Sequence, residues 1–544
     1  MDYNRLAELL FPHIQHDPQY YEELFPRREL PAEAKVTRIG PSPTGFVHLG
    51  NLYNAIIGER LAHQSQGVFF LRIEDTDNKR EVPGAVETLL AAMDGFGVHF
   101  DEGATIDGEI GSYGPYRQRQ RKEIYQSIAK KLVQMGYAYP CFCTEDQLNA
   151  MREQQIAGKL NFGYYGQWAA CRDMDYESIE ARVQAGEPYV LRFRSQGDPE
   201  NFLPVMDAIR GELSVQENYQ DFVLLKSDGI PTYHFAHVVD DHLMGTTHVV
   251  RGEEWLATLP MHVQLFDTLG WQRPLYCHTA QLMKIDGDVK RKLSKRKDPE
   301  LALEYYQAEG YLPHAVWEYL LTVLNSNYEQ WRIDNPEAHY MEFPFSTEKM
   351  SNSGALFDLE KLENISKDVI CAMSAEAIYE GLLGWAERYD TEFAALLADR
   401  DYALAVLNIG KGGDRPRKDL VNWKQAVDFL SFYYDQRFRI EDEFPTDLEA
   451  RKEILSRYLE LIDFSDDNDA WFAKVKQICE EQNYALQPKK YKKNPELYRG
   501  SIVEVSNTIR VAMSGRQNSP DLWQITQTLG EERSRARIRA AMEA

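Results

Sequence analysis

Residues 35–73 decide the fold and read KVTRIGPSPTGFVHLGNLYNAIIGERLAHQSQGVFFLRI. Residues 35–40 predict a short strand, and the prolines and glycine of PSPTGF exclude helix and sheet from the loop that follows. Apolar residues then recur at helical spacing, at Leu49, Tyr53, Ile57 and Leu61. We expect that helix to end near Gly67, before a buried strand over residues 68–73. This order predicts a βαβ unit and therefore a doubly wound parallel sheet.

The rest of the chain first carries further strand-like runs and then changes character. Strand-like runs return at YVLRFR, DFVLLK and HVVRG, after an interruption rich in cysteine and aromatic residues over residues 140–190. After Leu301 the sequence is rich in Leu, Ala, Glu, Lys and Arg and has few strand-like runs. We therefore predict a mostly helical C-terminal part, and one or two short helices in residues 1–34.

Composition bounds the class of protein. The chain has 544 residues, of which 43% are hydrophobic and 27% charged, which excludes wholesale disorder and allows about three to five domains. No apolar run approaches the roughly 18 residues of a membrane span. The N-terminal MDYNRLAELLFPHIQ carries acidic residues through its apolar pattern, so we expect no secretory signal. Six cysteines in this length do not predict a disulfide framework, and we expect cytoplasmic residence.

Charge at first opposes a nucleic-acid partner. Lys and Arg total 61 against 85 Asp and Glu, a net charge of −24, whereas phosphate backbones attract basic surfaces. Binding, however, depends on where charge lies. Local basic segments stand at residues 290–297, 415–424, 488–500 and 533–539. Such runs are more often solvated helix faces, but together they leave a locally basic, phosphate-binding surface open.

The loop PSPTGFVHLGN (residues 41–51) lies where Rossmann-type sheets bind nucleotides. The N-terminus of the following helix offers free N–H groups and positive potential to a phosphate. Gly45 and Gly50 allow close approach of a ligand, and His48 can donate a hydrogen bond to a phosphate oxygen. A lone HxG motif is weak, because so short a motif occurs by chance and a structural turn followed by an ordinary histidine is then the favoured explanation.

Two further segments strengthen the nucleotide-binding interpretation. LRIEDTD (residues 71–77) places Glu74 just after a buried strand, where its carboxylate could hold an ammonium group, although acidic clusters are usually solvated. In DVKRKLSKRKD (residues 288–298), six of the eight residues from Lys290 to Lys297 are basic, enough to neutralise a triphosphate. Alone, that run also fits a basic surface loop or a nuclear-import signal.

In order along the chain, TRIGPSPTGFVHLGN, FFLRIEDTD, GPYRQRQR, PTYHFAHVVDDHLMGTTHVVRGEEW and KLSKR resemble a class I aminoacyl-tRNA synthetase, and specifically the glutamyl-tRNA synthetase family of bacterial type. HLGN matches that family's form of the HIGH signature, with Asn51 last, and KLSKR matches its form of the KMSKS loop. The close resemblance covers residues 35–297 apart from the interruption.

The resemblance implies an α/β Rossmann-type catalytic domain with an inserted acceptor-binding domain, followed by a mostly α-helical anticodon-binding region. The implied segments are an N-terminal extension (1–34), the first half of the catalytic domain (35–140), an acceptor-stem-binding insertion (141–190), the second half with the KLSKR loop (191–300), a stem-contact helical domain (301–366) and a helical anticodon-binding region (367–544).

The resemblance also implies the reaction. Family members activate glutamate with ATP and Mg²⁺, release pyrophosphate, and pass the glutamyl group to tRNA. The amino acid's carboxylate attacks the α-phosphorus directly, so the protein acts by positioning and charge stabilisation. The implied catalytic residues are His48, Lys292 and Lys295. The implied ATP contacts are Pro43, Thr44, Gly45, His48, Gly50, Asn51, Glu254, Trp255, Lys292, Ser294 and Lys295.

Glutamate requires arginines for its carboxylates and a carboxylate for its ammonium group. The family pattern places Arg38, Tyr233 and Arg251 around the carboxylates. It places Ser42 and Glu74 near the amino group, and His237 where many relatives carry Asn. For Tyr233, which we expect in a strand, packing is the alternative role.

Cys141, Cys143 and Cys171 raise the question of a metal. A CxC pair supplies two thiolate ligands, and some glutamyl-tRNA synthetases hold zinc in this insertion with a third Cys and a His or Tyr. Here the fourth ligand could be Asp173, Tyr164 or Tyr165, or absent. Three reduced thiols without metal remain an equal alternative.

The implied partners are tRNA(Glu) and L-glutamate, with no membrane, in a monomeric enzyme; whether tRNA(Gln) is also charged stays open. Glutaminyl-tRNA synthetase is a rival, but its anticodon region is a β-barrel. A shortened glutamyl-transferring paralogue would lack the long C-terminal part. A catalytically dead RNA-binding relative could lose the signature residues, which are all present here, and a free-standing adenylyltransferase would not need the helical region.

Overall fold

The structure is a computed structural model that describes residues 1–43, 45–77, 81–411 and 416–543. The chain divides into two compact units. The first comprises residues 1–305 and 317–358, and the second residues 306–316 and the chain from Leu359 onward. Within the described residues, every helix is too short or too polar to cross a bilayer.

The strands of the described residues are β1 (Val36–Ile39), β2 (Val68–Leu71), β3 (Glu102–Ala104), β4 (Glu109–Ile110), β5 (Ala138–Cys141), β6 (Val190–Phe193), β7 (Phe202–Asp207), β8 (Gly211–Gln216), β9 (Val223–Leu225), β10 (His248–Gly252), β11 (Leu275–Thr279), β12 (Leu282–Asp286), β13 (Val289–Lys292) and β14 (Ala355–Leu356).

The α-helices of the same residues are α1 (Tyr3–Leu10), α2 (Pro18–Leu24), α3 (Leu49–Gln64), α4 (Ala85–Gly95), α5 (Lys122–Gln134), α6 (Glu145–Ala157), α7 (Tyr176–Gln184), α8 (Tyr233–Leu243), α9 (Leu259–Leu269), α10 (Leu303–Glu309), α11 (Pro313–Leu324), α12 (Tyr328–Asp334), α13 (Leu359–Ala372), α14 (Ala375–Tyr389), α15 (Thr391–Leu396), α16 (Arg400–Asn408), α17 (Trp423–Leu430), α18 (Leu448–Leu461), α19 (Asn468–Glu481), α20 (Pro488–Lys493), α21 (Ile502–Ser514) and α22 (Leu522–Glu543).

The predicted βαβ unit is confirmed as β1, α3 and β2. Every residue of β1 is buried, including the polar Thr37 and Arg38. The helix α3 begins where the Asn51 side chain accepts the His48 backbone N–H at 3.0 Å. The chain turns into β2 at Gly67, where a Cβ would clash with the Lys35 carbonyl oxygen. The absence of a side chain at this close approach therefore fixes how the helix returns to the sheet.

The central strands are parallel, as the Rossmann prediction requires, and β4 and β8 add antiparallel edges. β1 pairs with β2, β2 with β3, β10 with β11, and β11 with β7, all in parallel. The Thr247 N–H, just before β10, donates to the Val36 oxygen at 2.9 Å, which brings β10 beside β1. The carboxyl ends of β1, β2, β10 and β11 therefore share one edge, the usual ligand edge of such folds.

The cysteine-rich interruption forms its own small sheet. β5 and β6 are antiparallel, and β9, which follows much later in the chain, pairs with β6. The helices α6 and α7 lie between β5 and β6 in the chain. The sheet thus combines strands from both sides of the interruption.

The N-terminal 34 residues form two helices, as predicted. On α1, Arg5 lies 4.0 Å from the ring centroid of Tyr176 in α7 and 3.2 Å from a Glu180 oxygen. Glu8 pairs with Lys130 of α5 at 2.9 Å. This extension therefore contacts both the Rossmann helix α5 and the inserted helix α7.

In the second unit every described element of regular structure is helical, which confirms the predicted helical C-terminal region. Its core includes Trp423, Tyr458 and Trp471, and the indole of Trp471 donates to the Tyr458 hydroxyl at 2.8 Å. A buried aromatic pair of this kind needs its polar ends satisfied within the protein.

The basic segment at residues 533–539 is only partly exposed. Arg537 is buried, donates to the Phe432 and Met513 carbonyls, and pairs with Asp435. Arg535 donates to the Leu459 carbonyl. Two of its arginines therefore bond within the protein, and Arg533 and Arg539 remain as the exposed basic residues of the segment.

The segment at residues 415–424 is likewise largely paired. Arg417 pairs with Asp419 at 3.0 Å, Lys418 with Asp368 at 2.6 Å, and Lys424 with Glu309 at 2.7 Å. Arg415 lies outside the described residues. The lysines of α20, by contrast, are exposed.

Candidate active site

A cavity of about 400 Å³ opens at the carboxyl edge of the parallel sheet. Its polar lining from the sequence-predicted set is His48, Gly50, Glu254, Lys292, Ser294 and Lys295. The remaining lining residues are Tyr53, Asn54, Gly252, Thr279, Ala280, Gln281, Leu282, Leu293 and Leu301. The cavity thus carries cations and a helix start. Its leucines supply an apolar wall against which a planar nucleotide base can stack.

His48 is positioned at the start of α3. Gly50 leaves room for its ring, because a Cβ at Gly50 would lie 2.9 Å from His48 Nδ1. The pKa of His48 is lowered to about 4, chiefly by burial and in addition by Lys295 and Lys292, while Glu254 opposes them. The imidazole is therefore neutral near pH 7, with one ring N–H that can donate to a phosphate oxygen.

The KLSKR segment is held by Asp298. Arg291 donates both terminal nitrogens to the Asp298 carboxylate, at 2.6 and 2.9 Å, and the Ser294 backbone N–H donates to it at 2.8 Å. These bonds hold the pKa of Asp298 well below its usual range. Lys292 and Lys295 instead line the cavity, and Lys295 Nζ lies 3.8 Å above the Phe46 ring. The basic run therefore divides into a structural arginine and two cavity lysines.

Four other predicted ATP contacts lie outside the cavity lining. The buried Pro43 accepts the Val82 N–H through its carbonyl, Gly45 adopts φ 77°, and Asn51 caps α3. Trp255 lies against Tyr233 instead, with ring centroids 4.2 Å apart. Thr44 lies outside the described residues.

Beside the cavity, Arg38 and Glu74 meet through a buried network. Arg38 Nε donates to Asp241 at 3.0 Å, and Arg72 bridges Asp241 at 2.7 Å and Glu74 at 3.0 Å. Burial raises the pKa of Glu74, against the opposing effect of Arg72 and Arg38. Gly40 permits this arrangement, because a Cβ there would overlap the Glu74 carboxyl group.

Arg251, at the end of β10, has a different environment. Its Nε donates to His278 Nε2 at 3.0 Å, and its Nη1 lies 3.1 Å from His262 Nδ1. Its Nη2 is buried without a hydrogen-bond partner in the described part of the chain. An unsatisfied buried guanidinium nitrogen is costly unless a ligand meets it, so this nitrogen is suited to a carboxylate.

Tyr233 and His237 lie on α8. The structure corrects the strand expected at Tyr233, because Thr232 precedes the first turn of a helix there. Burial raises the pKa of Tyr233, and Arg251 lowers it in part. Both ring nitrogens of His237 are engaged, Nδ1 by Asp241 at 2.8 Å and Nε2 by the Tyr276 hydroxyl at 3.2 Å. His237 therefore supports the site, with no nitrogen left for a ligand in this arrangement.

The structure thus brings together Arg38, Glu74, Tyr233, His237 and Arg251, whereas Ser42 is exposed on the preceding loop. The sequence reasoning missed Arg72, Asp241, His262 and His278, all buried around these residues. A signal existed for Arg72, since an arginine inside the apolar run VFFLRI requires a buried acid. The histidines had none, because their partners are remote in sequence.

Comparison with known proteins gives the same class of enzyme. The family described as tRNA synthetases class I (E and Q), catalytic domain, matches residues 35–364. The chain belongs to this family. A second family, described as anticodon binding domain, matches residues 501–542.

Among curated glutamate–tRNA ligases, that of Acetivibrio thermocellus is 57% identical and that of Clostridium perfringens 48%. The alignments cover 99% of this chain, and 99% and 100% of those proteins. The crystal structure of a glutamate–tRNA ligase from Elizabethkingia meningosepticum in complex with its amino acid has a TM-score of 0.75 at 28% identity, over 94% of this chain and 99% of that one. The enzyme from Elizabethkingia anophelis has a TM-score of 0.74 at 28% identity, over 94% and 100%. The resemblance to glutamyl-tRNA synthetases is confirmed.

In this class I synthetase the three predicted cysteines cluster in the insertion. The sulfur atoms of Cys141, Cys143 and Cys171 lie within 4.8 Å of one another. The Tyr164 hydroxyl lies 3.4 Å from Cys141 Sγ and 3.3 Å from Cys143 Sγ. Three thiols and one phenol oxygen make a four-donor set of the kind that zinc accepts.

The other two candidates for a fourth donor lie elsewhere. Asp173 is directed to Arg194, 2.9 Å away. The Tyr165 hydroxyl donates to the Asn161 carbonyl. Of the three alternatives, the structure places only Tyr164 at the sulfur cluster.

Proposed function

We propose that this chain joins L-glutamate to tRNA(Glu) at the carboxyl edge of its parallel sheet, through a glutamyl-adenylate, with release of pyrophosphate and then AMP. The observation that carries this assignment of the site is the free Nη2 of buried Arg251. Arg251 and Glu74 both affect the pKa of Tyr233, and Gly252, the residue after Arg251, lines the cavity that holds His48. Arg251 offers a cation for a carboxylate, Glu74 an anion for an ammonium group, and His48 a donor for a phosphate. An amino acid bound beside ATP requires these three kinds of group.

ATP occupies the 400 Å³ cavity in this proposal. The adenine lies against the leucine wall near Glu254 and Trp255, and the phosphates face the start of α3, close to the loop residues Pro43, Thr44, Gly45 and Asn51. His48 donates to the α-phosphate as negative charge develops on it. Mg²⁺ accompanies ATP and screens its phosphate oxygens when bound. Lys292 and Lys295 neutralise the departing pyrophosphate, a task suited to lysine because its charge sits on a flexible stem.

Glutamate lies next to the cavity. Arg251 Nη2 and the Tyr233 hydroxyl bind its side-chain carboxylate, and Glu74 binds its ammonium group, with the exposed Ser42 hydroxyl within reach of the same group. Arg38 acts through Asp241, which it shares with Arg72 and His237. The amino acid's α-carboxylate then attacks the α-phosphorus without an enzyme nucleophile, so orientation accounts for the rate.

The test is ATP–pyrophosphate exchange and glutamylation with tRNA(Glu) present. We expect Arg251→Ala to lower kcat/KM for glutamate by at least about 100-fold, because a charged hydrogen-bonding partner of the substrate is lost. Arg273→Ala, which removes an arginine paired with Asp267 at the surface, is the control. Unchanged glutamate preference in both Arg38→Ala and Arg251→Ala would contradict the assignment, as would absence of glutamylation by the unaltered chain.

We also propose that Cys141, Cys143, Cys171 and Tyr164 hold a structural zinc ion. Its support is the sulfur cluster and the placement of the Tyr164 hydroxyl. Zinc bound there would tie β5 to the segment before α7. Reduced thiols without metal are the alternative.

Elemental analysis of the purified chain decides between them, with about one equivalent expected. Tyr164→Phe and Cys143→Ser should release the metal more readily to a chelator, whereas Tyr165→Phe should not, since that hydroxyl bonds to Asn161. Less than a tenth of an equivalent in the unaltered chain would reject the metal.

The insertion (141–190) is proposed to contact the acceptor stem, residues 301–366 the stem below it, and residues 367–544 the anticodon. The anticodon-domain match at residues 501–542 supports the last assignment. We further propose a monomer that acts in the cytoplasm, where ribosomes consume its product. Glutamylation assays with purified tRNA(Glu) and tRNA(Gln) test whether the second tRNA is also a substrate.

A further inference from the structure

Three buried side chains and the half-buried His234 hold Arg251 from both sides. On one side His278 accepts from Arg251 Nε at 3.0 Å through Nε2, and its Nδ1 lies 2.7 Å from Asp207. On the other side His262 Nδ1 lies 3.1 Å from Arg251 Nη1, and His262 Nε2 lies 3.1 Å from His234 Nδ1. None of these four partners belongs to the residues proposed to touch ATP or glutamate.

The geometry fixes the proton positions. A guanidinium only donates, so His278 Nε2 and His262 Nδ1 must both be unprotonated acceptors. The remaining N–H of His278 then donates to the Asp207 carboxylate, and that of His262 to His234. Asp207 is itself held by the backbone N–H groups of Ile209 and Arg210 at 2.9 Å.

The surroundings favour neutral rings. Burial lowers the pKa of His262, helped by His237, Arg251 and His234 and opposed by Asp241. Burial lowers the pKa of His278 as well, and Arg251 and Arg210 act in the same direction while Asp207 opposes them. Both imidazoles can therefore remain acceptors through the neutral range of pH.

Arg251 differs in this respect from the other two arginines nearby. Arg38 and Arg72 pair with carboxylates: Asp241 contacts both at 3.0 Å or less, and Glu74 contacts Arg72 at 3.0 Å. Arg251 forms no ion pair with a carboxylate in the described part of the chain. Two neutral acceptors orient its guanidinium and leave its charge uncompensated.

We propose that His262 and His278 are positioning residues that present the charged, unpaired Nη2 of Arg251 to the side-chain carboxylate of glutamate, and that they thereby set the preference for glutamate over glutamine. The proposal rests on the proposed binding role of Arg251. An acidic partner in place of either imidazole would neutralise the guanidinium and reduce that preference, because a neutral amide would then compete better.

The test separates hydrogen-bond acceptance from packing. His278→Leu and His262→Leu remove the acceptors, whereas His278→Gln and His262→Asn keep an oxygen near the lost nitrogen. We expect the leucine variants to raise the KM for glutamate about 10- to 100-fold, the effect of losing a hydrogen bond to a charged group. The KM for ATP should stay unchanged, exchange with glutamine relative to glutamate should rise, and the amide variants should recover most of the loss.

His99→Leu, at an exposed histidine of the same unit, is the control. Asp207→Asn is a nearly isosteric second test if the leucine variants do not fold. The new amide of this variant no longer fixes the tautomer of His278. We therefore expect the Asp207→Asn variant to have a raised KM for glutamate as well. Equal changes in both KM values without amide rescue, or an unchanged KM for glutamate in folded variants, would overturn the proposal. If Arg251→Ala also leaves that KM unchanged, the binding role of Arg251 itself fails.

Discussion

At the scale of single residues, the site depends on two glycines as much as on its charged side chains, because a Cβ at either position would collide with a neighbouring side chain. Gly40 ends β1 where the Glu74 carboxyl group crosses the strand, and Gly50 leaves room for His48. Neither glycine carries chemistry of its own. Both permit a charged or polar side chain to lie directly against the backbone.

Gly40→Ala tests this dependence. The new methyl group would overlap the Glu74 carboxyl group, so Glu74 must move away from Arg72. We expect the KM for glutamate to rise at least about 10-fold, because the ammonium partner is displaced from a buried, charge-assisted bond. Gly384→Ala, at a glycine with nothing near its Cβ position, is the control. Normal glutamate kinetics in Gly40→Ala would contradict the role of Glu74.

At the scale of elements, the β12–β13 hairpin positions the two cavity lysines. Asp298, only 2% exposed, gathers Arg291 and the Ser294 backbone just beyond β13. In the described ranges of the chain neither lysine side chain makes a bond of this kind, and both line the cavity. A fixed hairpin with charges on flexible lysine stems suits a leaving group that changes position during reaction.

Asp298→Ala removes that base. Arg291 loses its bidentate partner, and we expect the KM for ATP to rise about 10-fold, since a misplaced loop loses charge-assisted contacts to phosphate. The KM for glutamate should change much less. Asp286→Ala is the matched control, because it removes the more exposed partner of the same Arg291. Equal effects of the two substitutions would refute the assigned role of Asp298.

The element scale also shows where sequence reasoning stops. The strand and helix bounds around the first loop were predicted within a few residues, because hydrophobic periodicity and turn residues are local signals. Tyr233 was wrongly expected in a strand. Its apolar and aromatic neighbours suit either structure, and the structure starts α8 directly after Thr232.

At the scale of the molecule, the net charge of −24 hides a strongly uneven distribution. In the basic segment 533–539, Arg535 and Arg537 donate hydrogen bonds to backbone carbonyls inside the protein. In the segment 415–424, basic side chains form ion pairs with acidic ones. The lysines of α20 are exposed. Acidic surface elsewhere opposes indiscriminate binding of nucleic acid.

We expect affinity for tRNA to fall steeply with salt despite the acidic composition. Replacing Lys492 and Lys493 by Ala should reduce the slope of log K against log salt by about 1 to 2, since each lost phosphate contact contributes roughly 0.7 to 0.9. The double replacement of the exposed Lys131 and Lys452 is the control. Filter binding at several salt concentrations measures it. A flat dependence for the unaltered chain would exclude α20 as a phosphate-binding surface.

The sequence by itself determined the βαβ unit, the loop that precedes α3, the helical C-terminal region and the family of the enzyme. All of these are local patterns or ordered motifs. Only the tertiary structure decided which charged side chains pair with others inside the protein and which remain unpaired to meet a ligand. Arg38 and Arg251 look equivalent in sequence, yet Asp241 neutralises the first and two imidazoles leave the second charged. Burial and partners from distant segments set that difference, and no local pattern encodes them.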